Sequence, residues 1–244
     1  MMNYKVTISY NGVNFNGYQK QSNLRSVQGE IEKVLYKVHG YEVKSFGSGR
    51  TDKGVHALNQ VFNFESDLNM TPSQFEKAFN ALLPEDIYVK SVKRVNKDFH
   101  SRYSCVSKEY HYVVNVGRYD PLKKDYVLQY NRELDLDKMI EASKLFLGKH
   151  DFRNFCASEE EKVKDYIRTI ESIEIKKSKE IITFKFVGDG FLRYMIRMLV
   201  GILMEIGKKR KDIDFIQERL DIDELKRSNY KVSSCGLYLV KVKY

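Results

Sequence analysis

The stretch FGSGRTDKGVHA, residues 46–57, runs without a break into LNQVFNF, residues 58–64, and the pair decides how this chain is read. Gly47, Gly49 and Gly54 can take positive φ and let a ligand backbone come close, so residues 46–57 read as a tight loop and not a helix. Residues 58–64 alternate apolar and polar, the period-two sign of a strand with one buried face. The loop therefore hangs on a sheet, and it carries one acid, Asp52, between two bases, Arg50 and Lys53. A loop held on a rigid scaffold is where function concentrates, whereas the plainer reading is a surface turn whose three charges are merely solvated.

Working outward, a strand pattern at 4–10 precedes a helix pattern at 27–38, and after the loop and its strand a second helix opens at Thr71-Pro72. Thr71 suits an N-cap, Pro72 suits the first turn, and the helix must stop before Pro84. A strand follows at 87–95. Beyond it lie a strand at 110–116, a basic loop around Lys123-Lys124, a helix at 136–147, a hairpin-like pair at 170–176 and 181–187, and a long apolar helix at 191–206. This order predicts two related α+β halves sharing a sheet. We place them at 1–104, carrying the Asp52 loop, and 105–244. The crossing segment at 96–109 lacks the composition of a flexible linker, so rigid docking is expected.

A chain of 244 residues fits one large or two small domains. Its 42 Lys and Arg against 33 Asp and Glu leave a net charge of +9, which points to an anionic partner, nucleic acid first. Tyrosines interleaved with cations can stack on bases while the charges hold phosphates. Cys105, Cys156 and Cys235 are odd in number with no close pair, so neither a disulfide framework nor a four-thiolate zinc site is indicated, and they read as small buried residues in a reducing compartment. His39, His56, His100, His111 and His150 show no metal-ligand spacing, and no metal is expected. The amino terminus enters a strand pattern directly, and no apolar run reaches about 18 residues, so a cytoplasmic protein with no membrane partner is expected.

GRTDKGVH resembles the catalytic motif of the pseudouridine synthases. Its companions narrow the resemblance to the tRNA pseudouridine synthase A family: YNGVNFNGYQKQ at 10–21 with SVQGEIEKVL after it, FHSRYSC at 99–105, KEYHYVV at 108–114, FLRYMIRMLVG at 191–201 and GLYLVKV at 236–242. The resemblance implies an α+β pseudouridine synthase fold, two ferredoxin-like halves sharing a mixed, mostly antiparallel sheet with a central cleft. It implies an isomerase, working without cofactor or metal, that detaches uracil from ribose at N1 and rejoins it through C5. The implied substrate is tRNA, at positions 38, 39 and 40 of the anticodon stem-loop, and the implied assembly is a homodimer.

By the same resemblance Asp52 is the catalytic carboxylate, acting at the sugar as nucleophile or as base. A carboxyl in a desolvated site tends to take up a proton, so a cation must hold it charged, and Arg197 is that partner by match to the family pattern. At about 4 Å and an effective dielectric near 20 such a pair is worth roughly 4 kcal/mol before desolvation. Tyr110 would stack on the extruded uracil, and Leu237 would line the base pocket. Arg50 would prop the gap left by base flipping. Lys53, Lys20, Arg25 and Arg102 are further phosphate candidates, whereas His56 and Tyr112 read as structural. The chain departs from the family's usual pattern with Tyr18 in place of Trp, Lys53 in place of Ala and Met198 in place of Asn. The competing reading is a non-catalytic RNA-binding module or RNA chaperone on the same fold. Asp52 discriminates, because a carboxylate facing a polyanion opposes simple binding. A metal-dependent hydrolase is weakest, since a lone loop acid lacks the further ligands.

Overall fold

The computed structural model describes residues 1–157, 165–221, 226 and 229–244. The first part of the chain runs β1 (Met2–Tyr10), α1 (Val27–His39), β2 (Phe46–Gly47), β3 (His56–Ser66), α2 (Pro72–Leu82) and β4 (Ile87–Val95). It continues through β5 (Ser107–Asn115), β6 (Leu128–Gln129), α3 (Leu136–Ser143), β7 (Gly148–Asp151), β8 (Ile167–Ser178) and β9 (Ile181–Gly188), then α4 (Met195–Gly207), α5 (Asp214–Asp221) and β10 (Leu237–Lys243). The architecture is α+β; β1–β3, β1–β4, β2–β3, β5–β9, β7–β8 and β8–β9 pair antiparallel, whereas β10 on β3 and β6 on β5 pair parallel. Two compact units form, Met1–Val106 with Tyr238–Tyr244, and Ser107–Leu237.

In the first unit β1 lies between β3 and β4, antiparallel to both. The far edge of β3 receives β2 at Phe46↔Asn63 and, in parallel, β10 at Tyr238↔His56. The β1–β3 register runs from Met2↔Ser66 to Ile8↔Gln60 and then slips, so that Tyr10 faces Ala57. The extra residue falls on β3 near Leu58 and Asn59, just after the Asp52 loop, where a bulge re-aims the strand. Ser26 caps α1 by accepting from the Gly29 N–H, and Gly40, at φ 78°, closes it. Thr71 and Gln74 form a reciprocal capping box on α2 with Pro72 in its first turn. The Phe62 and Phe64 rings meet those of Phe75 and Phe79 at centroid distances of 5.3 to 6.0 Å, and Tyr4 lies 4.8 Å from Phe75. Each such ring, fully buried, contributes about 1.5–3 kcal/mol.

The expectation of one buried face on β3 is corrected here, because from Gln60 to Phe64 every residue is buried. Polar side chains tolerate this because they are hydrogen-bonded: Gln60 to Ser48 and Gly49, Asn63 to Asn3 and to the Ser101 N–H.

In the second unit β9 pairs with β5 on one side and β8 on the other, and β8 continues to β7. The hairpin-like pair read at 170–176 and 181–187 corresponds to β8 and β9, and in β9 Ile182, Phe184 and Phe186 are buried. The 136–147 helix ends earlier than expected, at Ser143, and continues as a 3₁₀ turn over Lys144–Phe146 before Gly148, at φ 93°, starts β7. The helix expected from 191 begins at Met195, because Tyr194 sits at φ 62°, a left-handed conformation no α-helix can include. Eleven of the thirteen residues of α4 are buried; the exceptions are Arg197 and Glu205. Among the described residues no helix is long and apolar enough to cross a membrane.

Candidate active site

The Asp52 loop is fixed through its own backbone. The Ser48 N–H donates to Val61 O, and the Ser48 hydroxyl donates to Gln60 Oε1 at 2.6 Å while Gln60 Nε2 reaches back to Gly49 O. Next to the acid, Thr51 O accepts the Tyr18 N–H and the Thr51 hydroxyl bonds the Tyr10 hydroxyl at 2.8 Å. On the other side the Val55 N–H closes a turn onto Asp52 O, and the Gly54 N–H reaches Phe15 O. Asp52 is half-buried, with Arg50 and Lys53 exposed to either side.

Of the three loop glycines, Gly54 uses the left-handed region, at φ 77°. Gly47 serves packing: a Cβ there would stand 2.3 Å from Tyr18 Cε1. Two glycines outside the loop matter as much. A Cβ on Gly12 would strike Val55 O at 2.1 Å, and one on Gly17 would strike Thr51 O at 2.7 Å. The glycines of YNGVNFNGYQ thus let that segment lie directly against the loop, a role the sequence hinted at only through their spacing.

His56 is a structural residue, as read: it is buried, its Nδ1 accepts the Gly12 N–H, and its ring stacks on Tyr238 at 4.9 Å. Arg25 is corrected as a phosphate candidate, because its guanidinium grips Asp86 through two bonds of 2.7 and 2.8 Å and lies on the Phe15 ring. Lys20 is paired with Glu32 at 3.0 Å. Lys53 and Arg102 are exposed.

In the second unit Tyr110 sits on β5, nearly buried, edge-on to Phe191 at 5.4 Å. Tyr112 is wholly buried and its hydroxyl donates to Ser233 O at 2.7 Å, the packing role expected of it. Leu237 is buried at the start of β10, beside Gly236, whose bare Cα lets it approach Val113 O and the Tyr112 ring. Arg197 projects from the first turn of α4, its Nε donating to Val232 O at 2.8 Å. The segment around 230–232 runs along this helix, with Tyr230 O resting on Gly201 where a Cβ would collide at 1.5 Å.

Sequence reading missed the cation cluster here. The Tyr194 ring has Lys231 at 4.3 Å, Arg193 at 4.7 Å and Arg197 at 5.0 Å from its centroid. Three like charges around one π face form a strongly electropositive patch, suited to an anion.

Burial pushes the phenols of Tyr10, Tyr18, Tyr112 and Tyr244 well above their ordinary range, so all four are neutral at physiological pH. The enclosed Tyr18 hydroxyl has no hydrogen-bond partner among the described residues. Among the described residues no three His, Cys, Asp or Glu side chains gather as a metal ion requires.

A family model described as tRNA pseudouridine synthase matches residues 6–104 and 142–244. Similar proteins include tRNA pseudouridine synthase A of Listeria monocytogenes, 43% identical over 252 residues and covering 100% of both chains. The corresponding protein of Staphylococcus aureus is 41% identical, over 99% of this chain and 91% of its own. That of a Geobacillus species is 39% identical, over 98% of this chain and 97% of its own. An α+β chain with this loop acid and these matches is an isomerase with the pseudouridine synthase fold. It belongs to the tRNA pseudouridine synthase family.

Proposed function

We propose that this chain converts uridine to pseudouridine in tRNA, at positions 38, 39 and 40 of the anticodon stem-loop, with Asp52 as the catalytic carboxylate. The observation that carries the reading is a half-buried acid in a GRTDKG loop anchored on both sides of it, at Thr51 and at Gly54 and Val55. Such anchoring of the backbone holds the residue that carries the carboxylate in one place. Relatives named tRNA pseudouridine synthase A support the choice of tRNA.

The reaction breaks the N1–C1′ bond and forms C5–C1′; C5 loses its proton and N1 ends protonated, so the product is an isomer and no redox partner is needed. A carboxylate can serve by attacking C1′ or by removing a ribose proton, and both routes need it ionised. Arg197, half-buried in the first turn of α4, is the proposed cation for that purpose, by its match to the family pattern. Tyr110 is proposed to stack on the flipped uracil, Leu237 to line its pocket, and Arg50, exposed two residues from the acid, to prop the vacated stem position. A homodimer, with one tRNA reaching across subunits, and a cytoplasmic location belong to the same proposal.

The test is tritium release from an unmodified tRNA transcript carrying 5-tritiated uridine. Wild type should release tritium and Asp52→Asn should not, while both bind the transcript. Near wild-type release by Asp52→Asn would remove the residue from the chemistry, and no release by wild type despite tight binding would leave an RNA-binding module.

A further inference from the structure

Phe46, the first residue of the Asp52 loop, opens a row of three rings, two of them exposed, that the reaction does not use. Its centroid lies 5.1 Å from that of His100, which lies 4.4 Å from that of Tyr103, and the Arg102 guanidinium sits 5.9 Å from the Tyr103 ring centre. Phe46 is 42% exposed and Tyr103 78%. Burial explains neither ring.

The row is built on a rigid support. Asn3 and Asn63, buried side chains on β1 and β3, bond to each other. Asn3 Nδ2 then donates to Phe99 O at 2.8 Å, and Asn63 Oδ1 accepts the Ser101 N–H at 2.9 Å. The turn closes on itself where the His100 N–H meets Ser104 Oγ and the Ser104 N–H meets His100 O. The Tyr244 hydroxyl holds Ser101 O from the C-terminal end. His100 Nδ1 accepts the Arg102 N–H at 3.1 Å, which fixes the ring's orientation. A backbone held in this way loses little freedom on binding.

We infer that the Phe46–His100–Tyr103 row, with Arg102, is a stacking shelf for an unpaired nucleotide of the RNA substrate other than the reacting uridine. The rings lie tilted against one another, at 48° and 36°, and the exposed Tyr103 ring at the end of the row suits a π-faced ligand, since stacking tolerates any base. The charge agrees: KRVNKDFHSRY, residues 93–103, holds four Lys or Arg against one acid, which favours an anionic, phosphate-bearing occupant over a basic or neutral protein surface. The inference rests on the tRNA reading above and adds to it a contact outside the reacting base.

The chain contains no Trp, so Tyr103→Trp places a single fluorophore on the shelf. In an Asp52→Asn background, which halts turnover, the test titrates this variant with unmodified tRNA transcript and follows binding independently by filter retention. The expected result is strong quenching that saturates with binding. Alongside it, Tyr103→Ala in the otherwise wild-type chain should raise KM about tenfold with kcat within about twofold, and Tyr103→Phe should restore KM. Retention without quenching, or a wild-type KM for Tyr103→Ala, overturns the shelf and leaves the tRNA reading standing. Quenching by a protein whose wild type releases no tritium keeps the shelf and removes the catalytic reading; no retention at all removes both. A changed oligomeric state in Tyr103→Ala with KM unmoved would assign the rings to a second copy of the chain and overturn the inference.

Discussion

Gly47 and Tyr18 are a matched pair: the tyrosine ring occupies the space a side chain at position 47 would need, and its hydroxyl ends enclosed without a partner. An unsatisfied buried hydroxyl is costly, so Tyr18→Phe should stabilise the chain by about 1 kcal/mol, seen as a higher urea midpoint at unchanged slope. A lower midpoint would mean the hydroxyl is bonded after all. Gly47→Ala should cost about 1–3 kcal/mol, and less in combination with a smaller residue at 18, since the two changes share one space. Individual residues were legible in the sequence where chemistry is local. Asp52 stands out in a run of glycines and charges, and Pro72 after Thr71 marks a helix start. They were illegible where a distant partner decides. Nothing near Arg25 announces Asp86, 61 positions away, which takes it out of the phosphate-binding set.

Elements were legible when long and locally punctuated. The strand at 87–95 and the starts of α1 and α2 fall where composition put them, and the capping box explains why α2 is so well marked. Thr71→Ala should therefore cost about 1 kcal/mol in chemical denaturation, and a neutral result would show that packing of Phe75 and Phe79 alone holds the helix. Two-residue strands such as β2 and β6 leave no periodic trace, and α5, eight residues long, carries a weak apolar face with Ile216 its buried member. The misjudged start of α4 has a functional side. Tyr194 breaks the helix, and its ring gathers Arg193, Arg197 and Lys231 near the positive end of the helix dipole, where cations are unfavourable. A bound phosphate would relieve that repulsion. Replacing both Arg193 and Lys231 by Ala should weaken tRNA binding and flatten the dependence of log K on log salt by up to about 2, with no loss of folding stability. An unchanged salt slope would take the cluster out of the RNA surface.

Across the whole molecule, buried tyrosine is the feature that sets its response to base. Tyr10, Tyr18 and Tyr244 in the first unit and Tyr112 in the second are held above the ordinary phenol value of 10.0, in each case chiefly because burial penalises the phenolate. Below about pH 10 all four are protonated in both folded and unfolded chains, and their contribution to stability is complete. Above it the unfolded chain releases protons that the folded chain retains, so the unfolding free energy falls with rising pH until the folded-state phenols themselves ionise. Each phenol contributes a slope of up to about 1.4 kcal/mol per pH unit, and four together up to about 5.6, against a total stability of about 5–15 kcal/mol for a typical domain. Unfolding is thus expected within one to three pH units above about 10. It should appear as a cooperative rise in phenolate absorbance coincident with loss of circular dichroism. Tyr18→Phe should shift that midpoint upward by removing one of the four titrations. Smooth ionisation of every tyrosine while the dichroism stays intact would contradict the burial on which the argument stands.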